Sequence, residues 1–237
     1  MITLDEALEL LKHDKIRNAS MINFIKEYSV QSIDICGDSL MLRATSDHQW
    51  ILISSESKEE LNVLINKLDK KDEYFSVIED WMMPILTHGR EVIWSLSCVK
   101  LYYPEELNIV EPQNKVSELN AEMAEYIFDN SKYKEFTSIE YITDRINRGT
   151  ALGIFDKDKL AAWLLTHDDG AMGFLHVLEE YRGKGYAQDL TYAMIKALRD
   201  KNQLPFVQIE ESNVQSMGLS QKMGFVRDRV INWFQLR

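Results

Sequence analysis

The chain is short of cysteine, proline, glycine and positive charge. Its 237 residues include two cysteines, four prolines and ten glycines. Cys36 and Cys98 form no C-x-x-C pair and have no neighbouring Cys/His cluster, which excludes a disulfide scaffold and the usual zinc spacings. Each lies in an apolar stretch, so both are expected as buried thiols. So little proline and glycine excludes a fibrous or low-complexity chain. Lysine and arginine number 27 against 38 aspartates and glutamates, a formal net charge of −11. A surface of that sign repels a phosphate backbone, so nucleic acid is not an expected partner. No window approaches the ~18 apolar residues of a membrane span. The first residues carry neither a basic nor an apolar signal region. The expectation is a cytoplasmic protein without membrane contact.

What is present is an ordinary core-forming composition, 45% hydrophobic and 27% charged. At ~150 residues per domain the length allows one large domain or two small ones. The acidity is uneven: residues 1–112 carry 11 basic and 20 acidic side chains, residues 113–237 carry 16 and 18. An anionic ligand would prefer the second half. The stretch from Pro104 to Lys115 is polar and holds two of the four prolines. It predicts a boundary between domains at 1–112 and 113–237.

Apolar spacing predicts helices at Leu4–Leu11 and Ile16–Tyr28, followed by strands at Ser32–Ile35, Ser39–Ala44 and Trp50–Ser54. Ser55 to Glu60 opens a helix to about Leu68, Glu79–Leu86 is a short helix, and Glu91–Tyr102 is a long strand. In the second half Ser117 caps a helix to Phe128 and Ser138 another to Asn147, ended by Gly149. Strands at Ala151–Phe155, Leu160–Thr166 and Ala171–Leu178 form an antiparallel meander. A helix from Lys184 to Asp200, a strand at Phe206–Glu210, a helix at Val214–Met223 and a final strand or hairpin at Phe225–Gln235 complete the chain. Both halves share a coarse order of helices followed by strands, with no repeat of fixed period.

The informative segment is Leu175-His176-Val177-Leu178-Glu179-Glu180-Tyr181-Arg182-Gly183-Lys184-Gly185-Tyr186-Ala187-Gln188, a strand that passes through a glycine turn into a helix. First-turn amides of a helix lack internal acceptors and the dipole adds positive charge, so such a junction can bind phosphate through its backbone. Gly183 and Gly185 carry no β-carbon to hold a diphosphate away, and Arg182 and Lys184 add charge. A dinucleotide fingerprint would need a third glycine after the first strand of a parallel unit, and a P-loop would need Gly-Lys-Ser/Thr. Neither is present.

Arg182-Gly183-Lys184-Gly185-Tyr186-Ala187 resembles the Arg/Gln-x-x-Gly-x-Gly/Ala signature of the GNAT superfamily of N-acyltransferases, which cradles the coenzyme A pyrophosphate. Asn213-x-x-Ser216 followed by Met223-Gly224-Phe225 is similar to that family's second block, whose Asn and small residue border the pantetheine arm. The resemblance covers about residues 117–237, and the layout with a divergent first half is similar to the glycine N-acyltransferase-like branch. It implies an α+β fold, a mixed and mostly antiparallel sheet flanked by helices, behind a smaller divergent α+β domain. It implies acetyl-CoA or another short acyl-CoA as co-substrate and no metal. Arg182 to Gln188 would hold the pyrophosphate, and the strand edge from Leu175 to Val177 would pair with pantetheine.

Transfer needs a base for the amine, an amide for the oxyanion and an acid for the thiolate. The resemblance places the oxyanion donor near Val177. For the base, His176 has a suitable unperturbed pKa of ~6.5, while Glu210 and Glu211 compete. The family's acid, a tyrosine four residues before the glycine of the second block, is Ser220 here, and the glutamate expected eleven residues before the arginine in the glycine branch is Ala171. Glycine as acceptor is therefore not supported. The expected acceptor is a small-molecule amine or amino acid, and a non-catalytic acyl-CoA-binding regulator is the alternative. Trp81-Met82-Met83 and Trp94 are expected as core. His167-Asp168-Asp169 is expected as a hairpin turn rather than a metal pair.

Overall fold

The computed structural model describes residues 2–131 and 134–237. Its elements are α1 (Leu4–Leu11), α2 (Lys15–Glu27), β1 (Ser29–Cys36), β2 (Ser39–Thr45), β3 (Gln49–Ser54), α3 (Lys58–Ile65), β4 (Tyr74–Glu79), α4 (Met83–Leu86) and β5 (Val92–Tyr102). There follow β6 (Ser117–Glu118), α5 (Ala124–Asp129), α6 (Ile139–Arg148), β7 (Ala151–Asp156), β8 (Lys159–Thr166), β9 (Met172–Val177), α7 (Tyr186–Asp200), β10 (Phe206–Ile209), α8 (Val214–Lys222) and β11 (Val226–Leu236). Packing groups the chain up to Leu101 with Ile209–Val214 and Arg227–Arg237 as one unit, and Tyr102–Gln208 with Gln215–Val226 as the other. Residue 112, the boundary expected from composition, lies inside the second unit, and most of the last strand belongs to the first.

Local chemistry sets most of the ends. Thr3 and Glu6 form a capping box at α1. Within the stretch from Ser55 to Glu60, Ser57 caps α3 by accepting from the Glu60 amide. Ser138 caps α6, and Gly149 follows its end. The helix expected from Ser117 is a correction: Ser117 and Glu118 pair with Gly153 and Leu152 as β6, and the helix starts only beyond Asn120, which caps a short 3-10 turn. Pairing with a distant strand outweighs the serine's local capping preference there. Strand β4 was not expected, because Phe75-Ser76-Val77-Ile78 is a short buried run without alternation.

In the first unit the strand order is β1-β2-β3-β4-β11-β5. Alternate residues of β2 feed two cores: Leu40, Leu42 and Ala44 pack with Phe24 and Leu11, whereas Met41 packs with Leu61, Phe75 and Phe234. Met82 is fully buried in the second of these with Trp81 and Met83 against it, and Trp94 lies against the first. Cys98 is buried, but Cys36 is only half-buried, a correction that follows from its place at the end of β1. The first half of β5 is largely exposed, so its alternation does not divide a core from solvent.

A buried ion pair ties β2 to the loop before β4. Arg43 Nη2 donates to Asp72 Oδ2 at 2.8 Å and Arg43 Nη1 reaches Asp34 at 3.1 Å. Burial alone would raise the Asp72 carboxyl, but the Arg43 hydrogen bonds and the Asp69 amide hold it below its ordinary value. A depressed carboxyl contributes stability above its unfolded pKa of ~3.9 and loses that contribution as pH falls through the folded value. Asp72→Asn is therefore expected to lower the melting temperature at pH 7 and to converge on the wild type as the pH falls through the depressed folded value. Melting followed by circular dichroism across pH 2–7 checks this, and a constant difference at every pH would contradict it.

In the second unit β6 to β9 are antiparallel neighbours, and β10 joins β9 in parallel at Val207↔Met172. Helices α5 and α6 bury Ile127, Ile142 and Ile146 with Trp163 and Leu165 of β8. Helix α7 packs on β7, β8 and β9. The turn His167-Asp168-Asp169 is a knot of hydrogen bonds. Tyr141 Oη donates to Asp168 at 3.1 Å, Arg145 Nη1 to the His167 carbonyl at 3.1 Å, and Gln208 Nε2 to Asp169 at 2.5 Å. Among the described residues no group of three potential metal ligands occurs.

Candidate functional site

Strand β9 builds one wall of the site. Trp163 stands opposite His176 and Leu165 opposite Gly173, so Leu164 faces two residues, Phe174 and Leu175. That is a β-bulge, and Phe174 carries a left-handed φ of 57° within it. On the other side β10 pairs with β9 only at Met172. Beyond that residue the two parallel strands diverge as a fork. Leu178 donates its amide to the Ala161 carbonyl at 3.0 Å. In an antiparallel ladder the neighbouring Val177 then turns its N–H and C=O away from β8, toward the mouth of the fork. Arg182 Nε donates to that carbonyl at 3.4 Å, across the turn. Leu175 to Val177 thus form a strand edge without a neighbouring strand among the described residues.

The turn out of β9 leads to the start of α7. Gly183 and Gly185 take φ of 77° and 81°, and a β-carbon on either would meet no protein atom within 4 Å. The helix begins at Tyr186 rather than Lys184 because the left-handed Gly185 is its cap. Gln188 and Asp189 donate their amides to the Gly185 carbonyl. Among the described residues the amides of Gly183, Lys184, Gly185, Tyr186 and Ala187 have no main-chain acceptor. Consecutive unpaired donors at the start of a 15-residue helix form a ready anion site.

Charge around the turn is partly neutralised. Lys159 pairs with Glu180 at 2.6 Å, and this hydrogen bond holds the Glu180 carboxyl below its usual range. Lys184 Nζ lies 4.8 Å from the Tyr181 ring centre, and that ring stacks on Tyr186 at 6.2 Å. Partial burial raises the Tyr181 phenol, with Asp156 adding to the shift. Asp189 in the first turn of α7 would oppose an anion, but it is buried and accepts from the Gln113 and Asn114 amides at 3.2 and 2.9 Å and from Asn114 Nδ2 at 2.6 Å. Its role is to tie the segment at Gln113 and Asn114 to the helix.

The remaining candidates fall in different places. The His176 ring stacks on Trp163 at 4.6 Å with an 18° interplanar angle, so it shares the face covered by α5 and α6. Glu210 and Glu211 follow the end of β10. Glu211 pairs with Arg227 at 3.5 Å, and the Glu210 carbonyl accepts the Asn213 amide at 2.9 Å. Glu210, Glu211 and Asn213 belong to the segment grouped with the first unit, whereas Ser216 and Ser220 belong to the second. Ser220 is 8% exposed in α8, and its carbonyl accepts the Phe225 amide at 3.0 Å. The structure thus brings together residues 175–188 within one unit. Sequence reasoning missed the bulge at Phe174 and the Asp169–Gln208 bond at the base of the fork. An aromatic residue gives no sign of positive φ, and the two partners lie far apart in sequence.

Residues 151–234 match the family described as FR47-like protein. No curated protein matches the chain in sequence. A solved Drosophila structure shares the fold with a TM-score of 0.81 at 17% identity, over 100% of this chain and 97% of that one. A tandem GNAT protein from the clavulanic acid biosynthesis pathway gives a TM-score of 0.56 at 13% identity, covering 99% and 94% of the two chains. A GCN5-related N-acetyltransferase-like protein from Streptococcus suis gives 0.53 at 12% identity, covering 97% and 99%. At these identities the likeness is one of fold: an α+β architecture with a mostly antiparallel sheet flanked by helices. No helix among the described residues is long and apolar enough to cross a membrane.

Proposed function

We propose that the second unit is a GNAT-type N-acyltransferase site, which takes an acetyl or other short acyl group from acyl-CoA and transfers it to a primary amine. The observation that carries this reading is the run of unpaired amides from Gly183 to Ala187 beside the uncovered edge of β9. The first suits a pyrophosphate and the second suits a chain of amides such as pantetheine. The FR47-like match over residues 151–234 supports it. Arg182 and Lys184 add charge for the phosphates, and Ser216 is the proposed border of the pantetheine arm.

The chemistry assigns roles to groups of this chain. The amine nitrogen forms a bond to the thioester carbon while the carbon–sulfur bond breaks. The Val177 N–H, turned toward the fork, donates to the oxygen that becomes negative. A base removes the amine proton: His176, whose ring stacks on Trp163, is the candidate within this unit. The departing thiolate takes a proton from water or from the Ser220 hydroxyl.

Release of free thiol from acetyl-CoA across a panel of small amines and amino acids, on the intact chain, tests the proposal. Turnover with at least one amine is expected, together with a rise in melting temperature on adding the thioester. Tight binding with no turnover on any amine would identify a regulatory binder instead. Neither binding nor turnover would overturn the reading.

A further inference from the structure

The first half of the chain repeats the element order of the second half. From α1 to β5 and again from α5 to β11 the chain runs helix, helix, three strands, helix, strand, helix, strand. The likeness extends to the fork. Strands β3 and β4 are parallel and pair only at Trp50↔Tyr74 and Ile51↔Phe75, then diverge. One non-glycine residue with a φ of 57° lies in each pair of diverging strands, Val77 in β4 and Phe174 in β9.

The two forks differ in what lies between their arms. In the first unit Leu52 and Ile53 face Ser76 and Val77 across a cavity of about 10 Å³, room for about one water. Ser76 is 1% exposed and its Oγ has no hydrogen-bond partner. The mouth is closed by charge. Glu79 Oε1 lies 2.7 Å from both Arg17 Nε and Arg229 Nη1, and all three side chains are mostly buried, at 13%, 17% and 21% exposure. Arg17 also pairs with Glu56, and Arg229 with Asp228 at 2.8 Å. Burial would pull the Arg229 guanidinium down, but Asp228 and Glu79 raise it above its ordinary value.

The helix start is filled as well. The turn into α3 is Ser55-Glu56-Ser57, without glycine, and the first turn carries Glu59 and Glu60. The Glu60 carboxylate accepts from Ser39 Oγ at 2.6 Å and lies 2.0 Å from where a β-carbon on Gly37 would stand. At the helix start itself Ser57 Oγ already accepts the Glu60 amide at 3.2 Å, and the acidic first turn would repel a phosphate.

We propose that the first unit is a second copy of the same fork, closed from inside by the Arg17–Glu79–Arg229 cluster with one water on Ser76, and that it binds no acyl-CoA. The chain would hold one thioester site. This stoichiometry rests on the function proposed for the second unit, whereas the closure does not. Titration calorimetry of the full chain with acetyl-CoA is expected to give one site, and Gly185→Asp to weaken that site without revealing another. Two sites, or a site of undiminished affinity in Gly185→Asp, would overturn the inference. Independently, Glu79→Ala removes the carboxylate that Arg17 and Arg229 share, leaving them only their outer partners Glu56 and Asp228, and should lower the melting temperature by on the order of 5 °C. Glu79→Gln, which keeps the shape, should lose less. Unchanged melting in both variants would overturn the closure. If the wild type takes up no acetyl-CoA, the acyl-CoA reading fails and the Glu79 melts alone decide the closure.

Discussion

Gly185→Asp is expected to weaken acetyl-CoA binding by at least about 100-fold, or ~2.7 kcal/mol. The new carboxylate would stand in open space, where a β-carbon on Gly185 meets no protein atom within 4 Å, beside the unpaired amides of Gly183 to Ala187. There it repels a diphosphate and competes for the same donors. The sequence alone suggests that the fold loses little. The structure corrects this, because Gly185 has a φ of 81°, a conformation that strains any side chain. Aspartate and asparagine tolerate it best, at about 1 kcal/mol. Gly185→Asn is therefore the matched control, with the same backbone strain and no charge. Calorimetry on both variants separates the effects: Asn should retain most of the affinity and Asp should lose it. Equal affinities would show that no anion sits at this turn.

Gly173→Ala is expected to destabilise the second unit by about 2–3 kcal/mol. An added methyl would stand 2.0 Å from His167 Nε2 and 2.4 Å from its Cδ2. The imidazole has little freedom to withdraw, since its ring packs on Phe174 at 4.8 Å and its Nδ1 lies 3.4 Å from Tyr141 Oη. Relief must come from the turn or from the bulge, and both shape the fork. Acetyl-CoA affinity should fall with stability. The double variant Gly173→Ala/His167→Ala should be more stable than the sum of the single losses predicts, because the first methyl then enters vacated space. Strict additivity in denaturant melts would show that the imidazole is not what the methyl meets.

The legible parts of this protein are those written by local chemistry. The helix at Leu4, the meander from Ala151 and the glycine turn at Arg182 each carry their caps, alternation or turn residues in the sequence, and the structure has them within a few residues. The parts that needed coordinates depend on distant partners. Ser117 reads as a cap until β7 offers it a ladder. Phe75 to Ile78 is apolar enough for a strand but too short to announce one. The fork depends on where β10 stops pairing and on the backbone of Phe174, and no residue spacing encodes either. His176 shows the same limit, since only the register with Trp163 reveals the stack that orients its ring.

The return of β11 to the first unit affects how the protein is made. Strand β4 waits for residues 231–235 as its antiparallel neighbour, although more than 150 residues of synthesis separate them. On a ribosome that extends the chain from its amino end, the half that begins first is finished last. Until then its fourth strand exposes an unsatisfied edge to whatever is nearby. A nascent chain of this kind would have reason to recruit a chaperone late in translation, and dividing the gene at the proline-bearing segment would separate β4 from the strand that completes it.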